Sequence, residues 1–180
     1  TKDQSGFTIK YREDPIFLDP RNKQLGARLI INLEKLYLSL KKLDLHDSNI
    51  KDYYSLSHKL GIVPKNLNQL QNKAFGIEYN YDELNGIDFK KGCYVGQENT
   101  ARIKLKNKLS KRLLPIKIIN GELLENETIH NKNVEIGKIL INEEYPFALI
   151  KYLDKNFDKN QTYKSKNGSF KVFIPEWLNI

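Results

Sequence analysis

Apolar residues change their spacing along this chain, and each change predicts a different kind of element. After the turn-forming Asp19-Pro20-Arg21, residues 25–31 read as a strand. Leu33, Leu36, Leu40 and Leu43 recur at helical spacing, which predicts a helix over residues 33–43. A second helix is expected to run to about Leu60, with Asp47 or Ser48 as its cap and Gly61 as its stop. Residues 64–91 lose this periodicity and are rich in Asn, Gly and aromatic side chains. They read as a long, ordered loop region of the kind that carries function in a compact protein.

From about Lys111 the pattern turns to strands, with β-branched and apolar runs at residues 113–119, 134–141, 147–153 and 163–166. Asn120-Gly121 and Asn167-Gly168 are expected to form tight hairpin turns, because both residue types tolerate positive φ. The pattern therefore predicts an α+β protein: a mixed portion, then a small antiparallel barrel or sandwich, with the boundary near residues 105–112. Trp177 is expected to pack against the barrel.

Composition narrows the class. The chain has 180 residues, 39% hydrophobic and 29% charged, which suits one compact domain or two small ones. No apolar run is long enough to span a bilayer, and no signal peptide opens the chain, so no membrane partner is expected. The first residue is Thr1 and Met is absent, which raises the expectation of a fragment of a longer protein. Lys plus Arg exceed Asp plus Glu by 30 to 22, a net charge of +8 that attracts anions such as phosphates or a glutamate tail. The single Cys excludes an internal disulfide, and a cytoplasmic setting is expected.

The densest chemistry lies in Lys91-Gly92-Cys93-Tyr94-Val95-Gly96-Gln97-Glu98, followed by Ala101-Arg102. Two glycines flank the thiol and allow a tight, exposed turn. The residues from Gln97 to Lys104 read as a short helix, and its N-terminus, Lys91 and Arg102 would stabilise a thiolate. Glu98 is expected to hold the motif through charge-assisted hydrogen bonds. A lone Cys is also commonly a small buried hydrophobe, and local context leaves both readings open. Lys90, Lys91, Arg102, Lys104, Lys106, Lys108, Lys111 and Arg112 share one stretch whose single acidic residue is Glu98. Aromatic interleaving is sparse there, so a solvated face or anion patch is preferred to specific nucleic-acid binding. His46, His58 and His130 have no metal spacing with Cys93 and are expected to be structural or exposed. Tyr53, Tyr54, Tyr79 and Tyr81 have the shape to stack on a pteridine, although core packing is their default reading.

The motif Lys-Gly-Cys-Tyr-x-Gly-Gln-Glu resembles the signature of the YgfZ family, relatives of the glycine-cleavage T-protein. Asp19-Pro20-Arg21 with Leu25-Gly26-Ala27-Arg28, Asn85-Gly86-Ile87-Asp88-Phe89, Lys111-Arg112-Leu113 and Val134-x-x-Gly137-x-Ile139 resemble other stretches of that family in the same order. The resemblance implies an aminomethyltransferase (GcvT)-like fold, with a folate-binding-like portion over residues 1–108 and a C-terminal β-barrel over residues 109–180. It further implies that the N-terminal domain of relatives is absent from this chain. The implied role is a tetrahydrofolate-binding accessory factor, rather than an enzyme, that supports assembly or repair of iron–sulfur proteins, including tRNA-thiolating ones. Its partners would be folate and iron–sulfur client or assembly proteins. Cys93 would be the working thiol and a possible ligand of a transient iron–sulfur cluster, within a motif made by Lys91, Gly92, Tyr94, Gly96, Gln97 and Glu98. Arg28, Glu78 and Arg102 would contact the cofactor. Three positions depart from the family: Ser57 stands where Arg is common, Gly76 replaces a Pro, and Lys106-Asn107 replaces an Arg-Gly. An aminomethyltransferase and a basic RNA-associated module are the alternative functions.

Overall fold

The structure is a computed structural model that describes residues 8–11, 14–93, 95–106 and 109–180. The chain divides into two compact units, Thr1–Tyr53 and Tyr54–Ile180. The division expected between residues 108 and 109 falls inside the second unit, next to residues outside the described set.

The first unit contains a three-stranded antiparallel sheet in the order β1 (Thr8–Tyr11), β2 (Asp14–Leu18), β3 (Ala27–Leu29). The strand expected over residues 25–31 is therefore shortened to β3. Its start is lost to a 3-10 turn at Lys23–Leu25, where the Asn22 side chain accepts from the Gln24 N–H. Helix α1 (Leu33–Lys42) follows the leucine spacing, and the Asn32 side chain caps it by accepting from the Glu34 N–H at 2.9 Å. Helix α2 (Ile50–Lys59) starts later than expected. Asn49, rather than Asp47 or Ser48, caps it by accepting from the Lys51 N–H at 2.9 Å. Ser48 is instead occupied by the Asp52 carboxylate.

In the second unit Gly61, at φ 72°, ends α2 as expected. The Ser57 hydroxyl, fully buried, donates to the Ile62 carbonyl at 2.9 Å. That position is internal, which explains why a small residue serves where an Arg side chain would need room. Helix α3 (Gln97–Leu105) follows the long loop region, and then come the strands. These are β4 (Arg112–Glu122), β5 (Thr128–Asn131), β6 (Val134–Ile141), β7 (Phe147–Ile150), β8 (Thr162–Lys164) and β9 (Asn167–Val172). They form one antiparallel sheet in the order β5-β6-β7-β4-β9-β8, curled into a nearly closed barrel. Across the seam, the Asn131 and Gln161 amides exchange two hydrogen bonds of 3.1 Å.

Two apolar clusters sandwich the middle of this sheet. Leu114, Ile116, Ile139, Ile150 and Phe170 fill the barrel, with Trp177 packed against them, while Leu113, Leu140, Phe147 and Leu149 meet Leu70 and Tyr79 of the loop region outside it. All four residues of β7 are therefore buried, which is why that stretch reads as a continuous apolar run. Among the described residues no helix is long and apolar enough to cross a membrane.

The two Asn-Gly pairs do not make hairpin turns. They lie opposite each other inside the β4–β9 ladder, with Gly121 paired to Gly168 and Glu122 to Asn167 beside a register shift. The hairpin before β9 turns at Ser165-Lys166, and the β5–β6 hairpin turns at Lys132-Asn133, whose two residues have φ 49° and 63°. Gly121 has φ 70°, and a Cβ there would sit 1.9 Å from the Asn167 carbonyl oxygen. Gly121→Ala is thus expected to cost at least about 2 kcal/mol of stability, from left-handed strain plus the parting of two strands. Chemical denaturation checks this, with Asn120→Ala as the control expected to stay within about 0.5 kcal/mol.

Candidate functional site around Cys93

The loop region before the motif is ordered by asparagines that accept left-handed backbone. Asn66, Asn72, Asn80 and Asn85 have φ between 57° and 64°, and one 3-10 turn at Leu67–Leu70 interrupts the run. The loop is anchored to the start of β4. Arg112 donates to the Glu83 carboxylate, to the Asn80 side chain at 3.2 Å and to the Ile77 carbonyl at 3.3 Å. The Asn80 amide returns a bond to the Leu113 carbonyl at 2.7 Å. Sequence spacing gave no signal for this network, because Arg112 and Glu83 lie 29 residues apart.

Downstream of this anchor the chain reaches the motif. Cys93 is exposed, and a Cβ added at Gly92 would meet nothing within 4 Å, so the segment stands open around the thiol. Val95 beside it is fully solvent-exposed, as are Lys91 and Glu98 in large part. Tyr94 lies outside the described residues. Gly96 takes φ 84° and starts α3 with no side chain capping its N-terminus, while the Thr100 hydroxyl donates back to the Gly96 carbonyl at 3.0 Å. The helix expected over residues 97–104 is thus present, but none of its side chains is buried. Gln97 is half-buried in its first turn, and Arg102 is exposed in its last. Lys104 holds the helix to the preceding loop, through an ion pair with Asp82 at 2.6 Å and a position 4.1 Å over the Phe89 ring. Glu98, exposed in the first turn of α3, makes no hydrogen bond or ion pair among the described residues.

The proposed cofactor contacts behave differently from one another. Glu78 accepts from the Phe75 N–H at 2.9 Å and so closes a turn of the loop. Arg28 belongs to the first unit, where its guanidinium bonds the Asp19 carboxylate at 2.7 Å and remains half-exposed. Asp19 itself is 1% exposed and also accepts three bonds from Arg21, whose guanidinium donates to Tyr53 at 2.6 Å. Burial works to raise the Asp19 carboxyl, but the bonds from Arg21 and Arg28 outweigh it and lower it from 3.8 to about 2. The folded-state value is depressed, so the stabilisation is complete above pH 3.8 and disappears as pH falls through about 2. It amounts to about 2 kcal/mol at neutral pH. Asp19→Asn is expected to remove it at pH 7 and to flatten the acid limb of stability between those values, which a series of denaturant titrations would follow.

Three basic residues of the stretch 90–112 are drawn into separate settings. Arg112 is buried, Lys104 is paired, and Lys111 lines a cleft with Lys73; Lys108 lies outside the described residues. His58 is packed against Tyr145, Phe147 and Phe173, with its Nε2 3.0 Å from the Pro146 carbonyl, and burial lowers its pKa. His46 and His130 are exposed. Tyr79 is buried with its hydroxyl on the Leu70 carbonyl at 2.6 Å, which assigns it to the core. Among the described residues no group of three His, Cys, Asp or Glu side chains could hold a metal ion.

No family model matches the chain. Curated proteins do. A mitochondrial iron-sulfur cluster assembly factor IBA57 homolog of Dictyostelium discoideum is 33% identical over 102 residues, covering 56% of this chain and 25% of that protein. The Neurospora crassa homolog is 38% identical over 97 residues, covering 54% and 22%. The Mus musculus factor is 34% identical over 100 residues, covering 56% and 27%. The match thus spans about a quarter of the length of these relatives. All three are named as mitochondrial, and this overturns the cytoplasmic setting expected from the single Cys. Over a little more than half of its length, then, the chain is similar to proteins named iron-sulfur cluster assembly factors.

Proposed function

We propose that this chain supports the assembly of iron–sulfur proteins in mitochondria, on an aminomethyltransferase-like fold, with Cys93 as its working thiol. The observation that carries the reading is the open, glycine-flanked exposure of Cys93, in a chain similar to named iron–sulfur assembly factors. A protein thiol offered to solvent can bind iron or exchange sulfur; a packed one cannot. One thiolate does not complete a cluster's ligand set, so the remaining ligands must come from an assembly partner or the client. The cluster is then cargo that passes the site.

Tetrahydrofolate is part of the proposal. Arg102 of the second unit, exposed in the last turn of α3, suits a carboxylate of its glutamate moiety, while Glu78 serves by holding the loop. Client enzymes that thiolate tRNA are the finer form of the same reading. Arg112 is buried and Lys104 is paired with Asp82, which leaves the RNA-associated alternative fewer free charges than the sequence offers. Complementation tests the function. Cells lacking the endogenous factor would express this protein targeted to mitochondria, and the activities of iron–sulfur enzymes would be measured at matched protein levels. Restored activity is the expected result; none, with the protein present and folded, overturns it.

A further inference from the structure

Away from the Cys93 segment, the second unit has a cleft of about 360 Å³ between the outer face of the barrel and the loop at Lys73. Lys138 and Leu140 are two apart on β6, and Leu149, cross-strand partner of Lys138, is two before Lys151. The lining thus alternates lysine with buried leucine on a single sheet face, and Lys73 and Lys111 complete the wall.

Charge is not balanced there. Four lysines face the cleft against one carboxylate, Glu135. Lys151 is satisfied by that carboxylate at 2.8 Å, and Lys73 by Glu125 at 2.6 Å. Lys111 and Lys138 have no carboxylate partner among the described residues. The hydrogen bond and charge of Lys151 hold the Glu135 carboxyl below its ordinary range, with weaker contributions from the nearby His130 and Lys111. Ammonium groups gathered in one concave cleft repel one another and focus their field on whatever anion enters. The volume lies in the range of small-ligand pockets and is too small for a nucleic-acid duplex.

We propose that this cleft binds a small, multiply charged oxyanion, with Lys111 and Lys138 as its primary charges and Lys73 and Lys151 at its edges. The site is independent of the role assigned to Cys93. Its chemistry is shared by a phosphate group and by a cluster of carboxylates, and the probes separate the two.

The test is calorimetric titration of the full chain with inorganic pyrophosphate and with citrate, at fixed ionic strength in an amine buffer. One anion per chain is expected, and the stronger of the two probes identifies the source. The Lys111→Gln/Lys138→Gln pair is expected to weaken binding about tenfold or more, while Lys117→Gln, an exposed lysine of β4 outside the cleft, leaves it within about twofold. Glu135→Gln should tighten binding severalfold, because it removes the one carboxylate that the described residues give the lining and frees Lys151. Methyl resonances of Leu140 and Leu149 should shift on titration of the wild type. Equal weakening by Lys117→Gln, an unchanged or weaker affinity in Glu135→Gln, or no stoichiometric binding of either probe would overturn the site.

Discussion

Arg112→Ala is expected to lower the unfolding free energy by about 3 kcal/mol, with urea titration as the measurement. The Arg112 side chain is 8% exposed, and Glu83, its partner, is 27% exposed. Removing one member of a buried ion pair costs about 3–5 kcal/mol, chiefly because the other charge is left behind without its counterion. The lower end applies here for two reasons. Glu83 retains a path to water, and Arg112 Nε is buried with no partner among the described residues, a cost that the substitution relieves. Lysine is a poor substitute: one ammonium cannot reach Glu83, Asn80 and the Ile77 carbonyl together, so Arg112→Lys should lose most of the same energy. A loss under about 1 kcal/mol would show that water already serves these groups. The effect should be local in hydrogen exchange, with the turns between Ile77 and Gly86 losing protection before the barrel strands do, because the network fastens those turns to β4.

How far the fold was legible depends on how local its causes are. Helix α1 was readable because one face repeats its leucines at the helical period, and strand β6 because it is rich in β-branched and apolar residues. Strand β7 was readable for the opposite reason, since burial on both faces leaves no polar position to break the run. Strands β1 and β2 have no such periodicity, and β2 even contains Pro15, which has no N–H to give a ladder and argues against a central strand in sequence. The Asn-Gly pairs misled because the same freedom of φ serves a tight turn and a close approach of two strands, and only the partner strand distinguishes them. The exposed turn around Cys93 followed from its two glycines. The cluster of Asp19, Arg21, Arg28 and Tyr53 did not, since it needs contacts across up to 32 residues that no spacing rule supplies. The basic stretch looked continuous in sequence, yet folding distributes it among a buried pair, a surface pair and a cleft.

Cys93→Ala is expected to abolish support of iron–sulfur enzymes in the complementation assay while moving stability by less than about 0.5 kcal/mol. Both halves follow from the same exposure. An exposed side chain with open space around its neighbour Gly92 contributes no packing, so its loss leaves the fold intact. If sulfur is the reacting atom, nothing else among the described residues can replace it, because this is the chain's single Cys and no other metal-binding group is present there. Cys93→Ser separates the thiol from its shape: a hydroxyl keeps the size and polarity but is not deprotonated near neutral pH and is a poor ligand for iron. It should fail as completely as alanine. Gly96→Ala gives the complementary control, since φ 84° forces strain of about 1 kcal/mol on any L side chain and disturbs the turn without touching sulfur. A partial loss is expected from it. Full support by Cys93→Ala at matched protein level would refute the thiol's role and leave the segment to act as a docking surface, where Val95, fully exposed beside the Cys, would be the next residue to change.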